Sequence, residues 1–164
     1  MISQEMEKEL NEQINRELYS SYLYLSMATF LAEKNFDGMA QFMKVQAREE
    51  VEHAMKIYHY IEEQGGRVLL KGIDEPPSDF TDPLTIFEKS LEHEKFVTKS
   101  IHDLVSLAVD KKDYATKAFL DWFVTEQVEE EATMDGIVNK LKMIGDKGHA
   151  LLMIDAQLGK REGH

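Results

Sequence analysis

Two sets of polar side chains recur in this chain at one spacing: Glu17, Glu50 and His53, then Glu94, Gln127 and Glu130. In each set a glutamate is followed 33 residues later by a partner pair at i and i+3. The flanking text repeats as well, Glu49-Glu50-Val51-Glu52-His53 against Glu126-Gln127-Val128-Glu129-Glu130, at an offset of 77. Residues at i and i+3 share a helix face. The repeat therefore describes two helical hairpins, each carrying the same three-residue polar set.

All six residues interrupt apolar stripes. Glu17 lies between Ile14 and Leu18, Glu50 and His53 between Ala47 and Ala54, Glu94 between Leu91 and Val97, and Gln127 with Glu130 between Phe123 and Met134. Ionised carboxylates in a core are costly unless paired or metal-bound, and four together drive one another toward protonation. No Lys or Arg occupies a stripe position, so the expected neutraliser is a pair of divalent cations, whose four charges balance Glu17, Glu50, Glu94 and Glu130. Oxygen-rich ligands with one imidazole suit iron or manganese, and the lack of sulfur disfavours copper(I) and structural zinc. Glu49, Glu126 and Glu129 sit beside the stripes, where a solvated face is the default expectation.

The elements that must carry these residues are helices. The first is expected to start after Ser3 as N-cap and run to about Lys34 on Leu10, Ile14, Leu18, Ser21, Leu25, Ala28 and Leu31. The second covers about Met39 to Gln64 and stops at Gly65-Gly66. A connection from about Arg67 to Asp82 follows, long enough when extended to span roughly 50 Å, more than the length of a helix. It lets the third helix run parallel to the second, and its Val68, Leu69, Leu70 and Ile73 are expected to lay it along the bundle. Asp82-Pro83 opens the third helix, Lys111-Lys112-Asp113 turns into the fourth, and Gly145 to Gly148 ends that one. The short apolar stretch Ala150 to Ile154 with Leu158 forms a fifth helix that needs a partner, either the bundle flank or another subunit. The fold class is all-α: one domain over 1–164, with a four-helix bundle at about 4–144, one long crossover, and a short C-terminal helix at about 148–158.

Composition narrows the function classes. With 31 acidic against 19 basic residues the formal charge is −12, which repels phosphate backbones and anionic lipid while concentrating cations. Neither nucleic acid nor a membrane is an expected partner. There is no cysteine, which removes disulfides, thiolate zinc and iron–sulfur ligation and fits a reducing compartment. The first residues show no secretion signal and no apolar run approaches a membrane span, so a cytoplasmic location is expected.

Di-metal carboxylate bundles place a Glu on each of two helices and Glu-x-x-His on each of the other two; here the second helix has Glu-x-x-His and the fourth has Gln-x-x-Glu. With that departure, the chain resembles the ferritins, specifically the non-haem prokaryotic type, over nearly its whole length. The resemblance implies a ferroxidase centre with one iron at Glu17, Glu50 and His53, with Gln127 close by, and a second at Glu50, Glu94 and Glu130, Glu50 bridging the two. It implies a third iron site at Glu49, Glu126 and Glu129, a tyrosine near the centre at Tyr24 and an aromatic neighbour at Trp122, for which packing is the bland alternative. It further implies Fe(II) oxidation with dioxygen or peroxide and mineral storage in a 24-subunit cage of identical chains. Haem is not expected, because bacterioferritins would place a haem-ligating Met where this chain has Val51. His59, His93, His102, His149 and His164 lack paired carboxylates on buried faces and read as exposed or locally bonded. A stand-alone di-metal redox enzyme, of the manganese-catalase or peroxidase kind, is the alternative function, and a purely structural polar core is the third.

Overall fold

A computed structural model describes residues 1–162. The chain forms α1 (Gln4–Glu33), α2 (Asp37–Glu63), α3 (Pro83–Asp110), α4 (Tyr114–Ile144) and α5 (Gly148–Leu158), with no strand among the described residues. The expectation that Leu25 belongs to the first apolar stripe is corrected: Leu25 is exposed, on the outer side of α1 beside Tyr22.

Local chemistry sets the helix ends. The Ser3 hydroxyl accepts from the Met6 amide, the Asp82 carboxylate from Thr85 and the Asp113 carboxylate from Thr116, each an N-cap bond that satisfies an otherwise orphaned donor. Pro83 stands in the first turn of α3, where its missing N–H costs nothing. The reversals after α1 and α3 place Asn35 and Lys112 at positive φ, 66° and 55°.

Cross-helix contacts fix the topology. Tyr24 meets Glu94, Ser20 meets His93 and Met27 meets Ser90, so α1 and α3 run antiparallel. Gln46 meets Glu130 and Tyr60 meets Thr116, so α2 and α4 do the same. The short α1–α2 turn makes that pair antiparallel as well, which leaves α2 parallel to α3, as the length of the crossover allows.

The crossover travels along α1, but what holds it there differs from expectation. Asn11 donates to the Arg67 carbonyl (3.0 Å) and accepts from the Leu69 amide (2.8 Å), Asn15 donates to Gly72 and Ser26 to Pro77. Leu69, Leu70 and Ile73 are exposed; of the four apolar residues expected to anchor it only Val68 packs on the core, joined near the far end by Phe80. Extended backbone has unpaired donors and acceptors, and polar side chains on α1 supply partners for them where leucine could not.

The core is split in two. One apolar cluster, including Met27, Leu31, Met43, Phe87 and Leu141, fills the bundle end near the α1–α2 turn. The other, including Leu10, Ile14, Ile57, Ile101 and Phe123, fills the opposite end. Between them lies a layer of buried polar side chains. α5 docks at the start of α2 through half-buried Leu151, Ile154 and Leu158. Its Asp155 carboxylate accepts from the Met39 amide (2.8 Å).

Candidate metal centre

Glu17 on α1, Glu50 and His53 on α2, Glu94 on α3, and Gln127 and Glu130 on α4 all project into that polar layer, and each is buried. The bundle packs all four helices around one axis, so residues far apart in sequence arrive at one place. Two overlapping groups could each hold a metal ion: Glu17, Glu50 and His53, and Glu50, Glu94 and Glu130, the ligand atoms of each group within 4.8 Å of one another. Glu50 belongs to both. A third group, His53, Glu126 and Glu130, joins the layer to the flank of α4.

The orientation of the side chains favours a cation at the centre. Glu17 Oε2, Glu50 Oε2 and His53 Nδ1 are all buried and none makes a hydrogen bond. His53 Nδ1 lies 3.3 Å from Glu50 Oε2 and 3.7 Å from Glu17 Oε2, facing both without a hydrogen-bond geometry. In the metal-free protein the charge of a protonated His53 compensates the two carboxylates; once that proton leaves, three buried atoms without hydrogen bonds converge on one point, the arrangement that an ion satisfies.

The remaining carboxylate oxygens are held by neutral donors. Gln13 Nε2 donates to Glu17 Oε1 (3.1 Å), and Gln46 Nε2 donates to Glu50 Oε1 (2.9 Å) and Glu130 Oε2 (2.7 Å). Tyr24 donates its hydroxyl to Glu94 Oε2 (2.9 Å). Gln127 faces Glu94 with its amide nitrogen, 3.2 Å from the main-chain oxygen and 3.1 Å from Thr98 Oγ1. On Glu17 and Glu50 the donor occupies one carboxylate oxygen and leaves its companion available, whereas on Glu94 the Gln127 amide also reaches Oε1, at 3.5 Å.

Charge crowding shows in the protonation of the set. Burial, then the Glu94 charge, pushes the Glu50 carboxyl well above the usual range. Burial, with Glu130 and Glu17 nearby, raises Glu94 to about 8, and burial also raises Glu130 against the opposing Gln46 bond. Glu17 goes the other way: burial opposes its charge, but the facing His53 outweighs that and lowers its pKa. Burial likewise disfavours the His53 imidazolium, yet Glu17 and Glu50 overcome it and push that pKa up to about 12. Opposite charge at close range thus wins over desolvation at His53, and like charge adds to desolvation at Glu50 and Glu94.

The flanking acids divide. Glu49 is buried and Glu126 nearly so, correcting the expectation of a solvated face, whereas Glu129 is exposed. Arg161, from the segment after α5, covers this side: its guanidinium donates to Glu49 Oε2 (2.7 Å) and Gln46 Oε1 (2.8 Å) and lies over the Phe42 ring. Sequence reasoning missed Arg161, Gln13 and Gln46. The two glutamines were visible as Gln-x-x-x-Glu at 13/17 and 46/50; Arg161 lies beyond every periodic stripe and gave no signal.

Trp122 packs edge-on to His53 (ring centroids 5.4 Å) with the Lys56 ammonium over its outer face. His93 bonds to the Ser20 hydroxyl (2.7 Å) between the rings of Tyr19 and Tyr24, and burial lowers its pKa. His59 faces Glu62 at the surface, and His102 and His149 are exposed. His164 lies outside the described residues. No helix among the described residues is long and apolar enough to cross a membrane.

An antiparallel helix pair joined by a long crossover to a second pair, with carboxylates and one histidine at its centre, is a four-helix bundle whose core groups could hold metal ions. The profile of the ferritin-like domain matches residues 7–144, and the chain belongs to the ferritin family. It is 46% identical over 155 residues to the bacterial non-heme ferritin of Campylobacter jejuni, covering 94% of this chain and 93% of that one. The bacterial non-heme ferritin of Bacteroides fragilis is 46% identical, over 98% of this chain and 100% of its own. Among solved structures, an open pore ferritin from the hyperthermophilic archaeon Archaeoglobus fulgidus superposes with a TM-score of 0.98 at 49% identity, covering 99% of this chain and 100% of that one.

Proposed function

We propose that this protein stores iron: it oxidises Fe(II) at an intra-subunit pair of sites and deposits ferric mineral inside a hollow shell of identical chains. The observation that carries the reading is the pair of ligand groups sharing Glu50, with unbonded buried atoms of Glu17, Glu50 and His53 facing one another. One Fe(II) is bound by Glu17, Glu50 and His53 and the other by Glu50, Glu94 and Glu130, so that the two substrate ions lie one carboxylate apart. Each gives one electron to a single dioxygen, which leaves with two protons as hydrogen peroxide, and both irons end as Fe(III).

The chain's residues prepare this step. Ligands must be deprotonated to bind, so iron entry displaces the proton held by His53 and those shared among Glu50, Glu94 and Glu130. Gln13, Gln46 and Tyr24 hold the carboxylates in place through their second oxygens. Gln127 adds a neutral amide where a further carboxylate would add charge, which weakens the hold on Fe(III) and favours its departure to mineral. Glu49, Glu126 and Glu129 supply a third iron position, as the family resemblance implies. The relatives' names support a non-haem protein, and the cysteine-free chain suits the reducing cytoplasm in which Fe(II) persists.

The shell follows from the family resemblance, with 24 subunits and α5 at a contact between them. The test is to load metal-free protein with Fe(II) anaerobically, admit oxygen, and follow stoichiometry and particle mass together. Fast oxidation of about two irons per chain, then slow uptake of many more in a large closed particle, supports storage. Saturation at two per chain in a small oligomer would instead favour the stand-alone di-metal enzyme.

A further inference from the structure

The two glutamines that hold the carboxylates are themselves held. Arg16 donates to Gln13 Oε1 (3.1 Å), and Gln13 in turn donates to Glu17. Arg161 donates to Gln46 Oε1, and Gln46 donates to Glu50 and Glu130. An arginine has only donors. It therefore requires the glutamine oxygen on its own side and turns the amide N–H groups toward the carboxylates. Gln46 is wholly buried, so in the folded protein its oxygen is partnered by Arg161 and not by bulk water.

We infer that Arg161, carried by the segment after α5, is a positioning residue for the metal centre: through Gln46 it fixes one oxygen each of Glu50 and Glu130 and leaves the other oxygens to the metal. The inference rests on the metal-binding reading above and deepens it. Three contacts dock the guanidinium, with Gln46, Glu49 and the Phe42 ring, and its side chain is only 17% exposed. α5 brings it there, because Asp155 ties that helix to the start of α2. Gln46 contacts the ligand shared by both groups and a ligand of the second, so loosening it affects both metals.

The experiment uses the full chain and Co(II) alone as probe, whose visible absorption reports coordination geometry. Arg161→Ala should lower Co(II) affinity by about tenfold, the scale set by outer-sphere partners of metal ligands, and change the absorption envelope. Arg161→Lys, which keeps charge and donor, should recover most of both. Because Arg161 acts through Gln46, its effect should vanish in a Gln46→Leu background, a coupling that a double-mutant cycle measures. If Arg161→Ala does not fold, Arg161→Met, which removes the donors but keeps an unbranched apolar chain, takes its place.

A variant with unchanged affinity and spectrum, or one whose effect persists undiminished beside Gln46→Leu, overturns the inference. A lower melting temperature with the Co(II) spectrum unchanged would reduce Arg161 to a structural anchor and also overturn it. Failure of the unaltered protein to bind Co(II) would sink the metal-binding reading itself.

Discussion

Glu50 lends one oxygen to Gln46, turns the other toward His53, and belongs to both ligand groups. Its loss should therefore remove both metals, whereas Glu130 serves the second group and the link to Glu126. Glu50→Ala and Glu130→Ala are each expected to slow the fast oxidation phase more than about 100-fold, beyond the usual effect of outer partners, with helical content retained. Stopped-flow absorbance checks this, and a fast phase surviving in both variants would show the ligand assignment to be wrong. Tyr24 is a milder case. Burial, then the Glu94 charge, holds its phenol well above the usual range, so it remains a donor to Glu94 at every physiological pH. Tyr24→Phe should destabilise the metal-free protein by about 1 kcal/mol in urea unfolding and slow oxidation several-fold less than either ligand variant. At this scale much was legible from sequence, because charged residues inside apolar stripes are conspicuous on any helical wheel. The burial of Glu49 and Glu126 was not, because it depends on segments remote in sequence, Arg161 among them, and a helical wheel shows only the helix it draws.

Helix boundaries were legible for a related reason: Ser3, Asp82-Pro83 and Asp113 act on their own next three residues, so local text contains the whole cause. The crossover was legible in length and direction but not in attachment. Its apolar residues drew attention, while the bonds came from Asn11, Asn15 and Ser26, which look ordinary in an amphipathic helix. The docking of α5 turns on Gly38. A Cβ built there would lie 1.8 Å from the Asp155 carbonyl oxygen, a backbone atom that cannot give way, and Gly159 approaches the same point. Gly38→Ala should lift α5 off α2 and break the Asp155 bond to Met39. Amide exchange in α5 is expected to accelerate by roughly tenfold or more, the equivalent of about 1.4 kcal/mol, while the four-helix core keeps its protection. Unchanged exchange would mean that α5 is held by Leu151, Ile154 and Leu158 without that close approach.

Across the whole molecule, a formal charge of −12 coexists with exposed apolar side chains, among them Tyr22 and Leu25 on α1, Leu69 and Leu70 of the crossover, and Leu152 and Met153 on α5. α5 has no fully buried residue in the single chain. An apolar helix with no fully buried face of its own is a candidate association surface. Leu152→Glu combined with Met153→Glu should shift particle mass to smaller species by light scattering while leaving two-metal binding per chain intact; a particle of unchanged mass would place the contact elsewhere. The sequence could announce association but not a subunit count, since closure depends on angles between interfaces that no periodicity encodes. What joins these scales is the claim that one bundle holds two irons sharing Glu50. Anomalous diffraction at the iron edge, from crystals loaded anaerobically with Fe(II), tests it most directly. Two peaks per chain are expected inside the bundle, one touching Glu17, Glu50 and His53 and the other Glu50, Glu94 and Glu130; a single peak, or peaks only on the bundle surface, would contradict it.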